Sequence, residues 1–260
     1  MADNYGKKWS REETILAFDL YWRLPFSKIS KSNKAVIELA GLIGRTPSSV
    51  GLKLANLAHF DPELAARNVK GMANASKLDK EIFQEFCNDW EALSYQAQTI
   101  LAEYRNIDIK VREKEIENEM PPVGLDKNIS SKARVGQYFF RMVVLSSYRN
   151  KCCITGINNQ ELLVASHIKP WAISDEKTER TNPCNGLCLN ALHDKAFDRG
   201  LITIDSNYKI ILSDQILHAD MDSDTKDWFL SYAGKEILVP ERFMPGKDFI
   251  EYHNDVIFQR

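Results

Sequence analysis

The sequence contains no apolar run near 18 residues and its mean hydropathy is -0.35, so no membrane-spanning helix is expected. Its opening, MADNYGKKWSREE, has no apolar core of the kind a secretory signal needs. Cysteine is scarce: five residues, an odd count without regular spacing, which argues against a disulfide scaffold. Internal repeats and low-complexity tracts are absent. These absences lead to a cytoplasmic protein with no membrane partner. What is present is ordinary for a globular chain: 260 residues, 44% hydrophobic and 27% charged, room for one large domain or two small ones.

The net charge is only -2, so overall charge points to no particular partner. Its distribution is uneven. Residues 152–260 carry 11 basic and 17 acidic side chains, whereas Lys132, Arg134, Arg141, Arg149 and Lys151 lie in a stretch without a single acid. A basic segment beside an acidic one suits a site that meets both phosphate and a metal, although a solvated helix face has the same composition.

The first hundred residues read as helices. Ser10 and Glu13 form a capping-box pattern that opens a helix near Arg11, limited by Pro25. A second helix is expected over Asn33 to Ile43, ended by Gly44. Thr46-Pro47 starts a third, with Thr as N-cap and Pro at the first helical position, ending at Asp61-Pro62. Helix, short glycine turn and helix outline a helix-turn-helix. A fourth helix fits about Leu78 to Tyr104. Residues 105–131 read as a linker, with alternating charges over Lys110 to Glu119 and the breaker Pro121-Pro122-Val123-Gly124.

The remainder mixes helices and strands. A helix is expected over Lys132 to Tyr148, a strand over Leu162 to Ile168, and a turn-rich loop over Asn182 to Gly186. A short apolar strand over Leu187 to Leu189 leads into a helix over Ala191 to Asp198, which Gly200 ends. Residues 201–204 and 209–212 read as a hairpin turning at Asp205-Ser206-Asn207. Strand, loop, strand and helix make a ββα unit.

That unit holds His167 at a strand end, Asn185 in the loop and His193 at a helix start. A metal-assisted phosphodiesterase needs such parts. A neutral imidazole can deprotonate water near neutral pH. A divalent ion can offset charge developing on the phosphate. An amide side chain can fix the loop that orients the base.

The residues around this trio carry a family resemblance. In order they are Arg134-Val135-Gly136-Gln137, Cys153-Ile154-Thr155-Gly156 and Ala165-Ser166-His167-Ile168-Lys169-Pro170-Trp171. Arg180, Asn182-Pro183, Asn185-Gly186-Leu187 and His193-Asp194-Lys195-Ala196-Phe197-Asp198-Arg199-Gly200 follow. The segment resembles the HNH endonucleases, the ββα-metal class, in a branch found in bacterial restriction-type proteins. The resemblance spans about residues 132–260. It implies that His167 is the general base, that Asn185 tethers the loop, and that His193 binds the metal, one Mg²⁺ or Mn²⁺ ion.

The sequence departs from the family pattern at three places. Ser166 stands where many relatives place a metal-binding Asp or His. Phe197 stands where many place a third His. The nearest carboxylates are Asp194 and Asp198, and Asp198 is favoured as the second ligand because Phe-Asp-x-Gly recurs in this branch. The paired CxxC motifs of many relatives are missing, so no structural zinc is expected, and the cysteines are read as small buried residues.

The first domain also has a counterpart. Trp9-Ser10-Arg11-Glu12-Glu13, Gly44-Arg45-Thr46-Pro47-Ser48-Ser49-Val50 and Lys53-Leu54-Ala55-Asn56-Leu57 resemble a helical domain found ahead of HNH modules, and a Myb/SANT-type bundle. The expected fold is therefore α+β. A helical, helix-turn-helix-like DNA-recognition domain over 1–104 is followed by a linker over 105–131 and a ββα-metal HNH domain over 132–260. Candidate DNA contacts are Arg45, Ser48, Ser49, Lys53 and Asn56 on the third helix, with Arg134, Gln137, Arg141, Lys169 and Arg180 near the core. Double-stranded DNA is the implied partner. A homodimer is expected on it, since one nuclease site per chain cuts one strand. The resemblance implies a restriction or phage-defence role and leaves dependence on DNA modification open. The competing reading, prompted by Ser166 and Phe197, is a non-catalytic DNA-binding regulator that keeps the ββα fold. A nuclease or toxin acting on structured RNA is a third.

Overall fold

A computed structural model describes residues 4, 6–66, 75–120 and 130–260, arranged as two compact units over 1–143 and 144–260.

The first unit is helical. Helix α1 (Arg11–Arg23) starts at the Ser10–Glu13 capping box, in which both reciprocal bonds form. Helix α2 (Lys34–Leu42) is capped by Asn33, and Gly44 takes the left-handed conformation that the turn requires. Helix α3 (Pro47–Leu57) is capped by Thr46, with Pro47 in its first turn. Short helix α4 (Pro62–Ala66) follows Asp61, which accepts a 2.6 Å hydrogen bond from the Tyr21 hydroxyl. The core is aromatic: Phe18, Trp22 and Phe83 cluster, and Trp90 meets Trp22 edge-on at 4.8 Å and stacks on Phe139.

Two expectations are corrected here. The single helix over 78–104 is two, α5 (Lys77–Phe86) and α6 (Trp90–Arg105). The break falls at Asp89, whose carboxylate accepts from the Ala92 amide at 3.0 Å and so begins a new helix. The expected linker contains helix α7 (Ile109–Glu119). Its alternating charges are not all solvated. Arg112 is buried, bonded to Gln98 at 2.8 Å and paired with Glu115 and Glu119, while Ile116 is fully enclosed beside Val135 and Tyr138. The breaker at 121–124 lies outside the described residues.

Helix α8 (Ser131–Ser147) spans the division between the units. In the second unit, β1 (Leu163–His167) pairs antiparallel with β2 (Gly186–Asn190), His167 opposite Gly186 and Ser166 opposite Leu187. Helix α9 (Ala191–Asp198) follows directly and packs on both strands, completing the ββα unit. A second hairpin, β3 (Ile202–Ile204) and β4 (Ile210–Leu212), turns at Asp205, whose carboxylate accepts from the amides of Asn207 and Lys209. Helices α10 (Asp214–Leu217), α11 (Ser223–Leu230) and α12 (Lys247–Tyr252) follow, and a π-helical turn over His253–Ile257 closes the chain.

That last turn clamps the end of α9. His253 stacks on Phe197 at 3.7 Å and donates from Nε2 to the Phe197 carbonyl at 3.0 Å. Gly200 has φ +68°, and a Cβ there would sit 2.0 Å from the Ile257 carbonyl oxygen. Glycine is the residue this crossing admits.

Candidate active site

The site is built around an irregular loop, residues 168–184, between the paired strands. Irregular backbone needs partners for its own polar groups, and here one side chain supplies several. Asn185, 0% exposed, accepts from the Lys169 amide at 2.8 Å and donates to the Lys169 carbonyl at 3.0 Å. Its amide also reaches the Glu179 carbonyl at 3.3 Å and the Ser174 hydroxyl at 3.4 Å. Its own carbonyl accepts from the Ile168 amide at 2.9 Å. One buried side chain thus ties both ends of the loop to the residues that follow His167.

His167 ends β1 and is partly exposed. Its Nε2 lies 2.9 Å from the Arg180 carbonyl oxygen. A carbonyl can only accept, so Nε2 carries the proton and the basic lone pair is on Nδ1. Desolvation lowers the imidazole pKa to about 4, against the opposing pull of the carbonyl. The ring is therefore neutral at ordinary pH. Trp171 meets it edge-on at 5.6 Å.

Arg180 and Lys169, expected to contact DNA, are engaged in bracing this loop. Arg180 donates from Nε to the carbonyls of Trp171 and Ser174, pairs with Glu176 at 2.7 Å, and lies over the Trp171 ring. Lys169 pairs with Glu179 at 2.6 Å and lies over Tyr252. Ser174 and Glu179 take part in bracing this loop and were not singled out from sequence, while Trp171 stands in the 165–171 motif without a role assigned to it. Polar residues in a loop give no signal of which carbonyl they will meet.

His193, 2% exposed, occupies the first turn of α9. Asn190 accepts from the amides of Leu192 and His193 through Oδ1, at 3.1 and 3.0 Å, which fixes its orientation. Its Nδ2 then faces His193 Nδ1 at 2.9 Å. Trp228 stacks on the imidazole at 4.6 Å, with Phe229 and Tyr232 edge-on. Burial lowers this pKa to about 4 as well. Asn190 could have been found as a helix N-cap; the aromatic box, 35 residues or more away in sequence, could not.

Asp194 and Asp198 lie one helical turn apart. Desolvation and then the charge of Asp198 raise Asp194 to about 6, partly offset by the Ser166 hydroxyl and Lys195. Desolvation raises Asp198 too. Ser166 is 2% exposed, with its hydroxyl beside Asp194. Cys152, Cys153 and Cys188 are buried and form no disulfide. Among the described residues, no three His, Cys, Asp or Glu side chains are grouped as a ligand set.

The candidate contacts on α3 divide. Arg45 and Lys53 are buried, paired with Glu13 at 2.7 Å and Asp79 at 2.5 Å, with Trp9 against both cations. They hold the bundle together and are not presented to a partner. Ser48 is exposed, and Ser49 and Asn56 are partly so. On α8, Arg134 pairs with Glu117 at 3.0 Å, and Gln137 and Arg141 are partly exposed.

The site is thus a hairpin packed by a helix, with a neutral histidine at the strand end and a buried asparagine tying the loop between the strands. Residues 152–205 match the family model of the HNH endonucleases. Among solved structures, a modification-dependent TagI restriction endonuclease is 18% identical, covering 44% of this chain and 35% of its own, with a TM-score of 0.28. The chain thus spans about a third of that protein's length. No curated protein matches the chain.

Proposed function

We propose that the protein is a DNA endonuclease of restriction or defence type, in which His167 is the general base. The observation that carries this reading is the fixed tautomer of His167. With Nε2–H committed to the Arg180 carbonyl, Nδ1 is the atom able to take a proton from water. The low pKa keeps that nitrogen unprotonated at neutral pH. Asn185 and Arg180 hold the loop so that the ring does not turn away, and a misplacement of about 1 Å can cost 10²-fold in rate.

A divalent ion, when bound, would stabilise the charge developing on the phosphate and leaving oxygen. Of the two expected ligands, Asp198 suits a hard cation such as Mg²⁺. His193 does not, because its Nδ1 is occupied by Asn190. DNA would be positioned by Ser48, Ser49 and Asn56 of the first unit, together with Gln137 and Arg141. A homodimer would supply the second cut of a double-strand break. Dependence on modified bases belongs to the same proposal and is read by comparing substrates.

The test is plasmid cleavage in Mg²⁺, Mn²⁺ or EDTA, on unmodified and cytosine-modified DNA, with wild type and His167→Ala. Metal-dependent cutting that the variant loses supports the reading. DNA binding without cutting under any metal refutes it and favours the regulator. Cutting of RNA alone favours the RNA nuclease.

A further inference from the structure

The first unit holds a cavity of about 380 Å³, lined by α1, α2, α6, α7 and Tyr138 of α8. That volume lies in the range of small-molecule sites. One wall is apolar, with Leu20, Leu39, Leu42 and Leu101. The other is polar, with Asp19, Arg23, Gln98, Arg112 and Tyr138.

Asp19 is the telling member of the polar wall. It lies on the buried face of α1 at 1% exposure, where an aliphatic side chain is the ordinary occupant. Its Oδ2 accepts from Arg23 Nη2. Its Oδ1 has no hydrogen-bond partner among the described residues, and neither has the buried Nε of Arg23. Burial raises the Asp19 carboxyl pKa, against the pull of Arg23 and Arg112. A buried acceptor and a buried donor left unmet are costly, and these two belong to side chains one helical turn apart that both line the cavity.

The charge of the lining limits what can meet them. Four carboxylates, Asp19, Glu38, Glu115 and Glu119, stand against three guanidiniums, Arg23, Arg105 and Arg112. Each guanidinium is already paired with one of those carboxylates. A phosphate entering here would have to break ion pairs and sit among an excess of acid. An uncharged ligand with an N–H beside a lone pair on one flat edge meets both unmet atoms, and its faces suit the leucine wall.

We propose that this cavity binds a small nitrogenous heterocycle without phosphate, of the kind a free nucleobase provides, which donates an N–H to Asp19 Oδ1 and accepts from Arg23 Nε. The inference is independent of the nuclease reading.

Isothermal titration of the full chain with adenine, cytosine and caffeine tests it. Adenine or cytosine is expected to bind saturably, one per chain. Caffeine, a flat purine with no N–H donor, is expected to bind about 10-fold more weakly or not at all. Asp19→Asn keeps the size of the side chain but must turn its carbonyl to Arg23 Nη2, leaving an NH₂ where the ligand's donor arrives. It should weaken binding by about 10-fold or more. Leu101→Trp, which fills the cavity from a half-buried position, should abolish binding. Circular dichroism checks that each variant is folded; should Asp19→Asn not fold, Leu101→Trp and the caffeine comparison decide. The proposal is overturned if neither base binds wild type, if caffeine binds as well as adenine, or if folded variants bind like wild type. Displacement of the bound base by a single-stranded oligonucleotide would overturn the assignment to a ligand without phosphate and place a base of DNA there instead.

Discussion

Replacing Asn185 by Ala probes how the loop holds the base. The side chain makes two short bonds to the main chain of Lys169, 2.8 Å to its amide and 3.0 Å to its carbonyl, two residues beyond His167. Alanine leaves both groups without these partners at a position that is 0% exposed. An unmet buried polar group costs about 1–3 kcal/mol, so the pair should cost about 2–6 kcal/mol, concentrated in the loop over 168–184. Released from that tether, the loop no longer fixes the Arg180 carbonyl against His167 Nε2, and kcat should fall by about 10²-fold. KM should change less, since Asn185 is buried and touches no substrate. Urea unfolding gives the stability, single-turnover plasmid cleavage gives the rate, and amide hydrogen exchange localises the change. Wild-type kcat together with unchanged exchange at residues 168–184 would refute the reasoning.

Other consequences follow from the same contacts. His167→Ala should abolish cleavage while leaving DNA affinity in gel-shift assays near wild type. With the His167 pKa near 4, the acid limb of the cleavage profile should fall below pH 5 and not near 6.5; a limb at the ordinary histidine value would contradict the fixed neutral ring. Folding stability should also decline as pH drops from about 6.5 to 4, because His167, His193 and His253 resist protonation in the folded state and accept it when unfolded. Each contributes a slope of about 1.4 kcal/mol per pH unit within that window, and Asp194, raised to about 6, opposes with one proton of the other sign. Net uptake on unfolding near pH 5 is thus about two protons from these four groups, measurable by calorimetry in buffers of different ionisation enthalpy. Gly200→Ala should cost more than about 2 kcal/mol in urea unfolding, since it combines a left-handed φ with a 2.0 Å approach to Ile257.

Much of the fold was legible because local chemistry set it. Ser10 with Glu13, Asn33, and Thr46 with Pro47 each cap the helix they announce, and Gly44 and Gly200 end helices with positive φ. Alternation and turn residues gave the ββα unit and the following hairpin within a residue or two. The break at Asp89 was hidden because helical periodicity continues on both sides of it. Helix α7 was hidden because charged residues dominate it, and only Ile116 and the buried Arg112 show what it packs against.

In the candidate site, the ordered neighbours of His167, Asn185 and His193 were readable, and their partners were not. Arg180 and Lys169 carry the charge of phosphate ligands, yet their neighbours Glu176 and Glu179 lie close enough in sequence to claim them. Arg45 and Lys53 sit where a recognition helix would present donors, but Glu13 and Asp79 reach them only through the tertiary fold. The residues that box in His193 come from beyond the segment that matches the family, in α11 and the turn after it.

The most direct test of the account is plasmid cleavage by wild type and His167→Ala, in Mg²⁺ or Mn²⁺ and in EDTA. The account predicts cutting by wild type with metal and none in EDTA, and no cutting by the variant under either condition. Binding of DNA by a folded wild-type protein that never cuts it, or equal cutting by the variant, would contradict it.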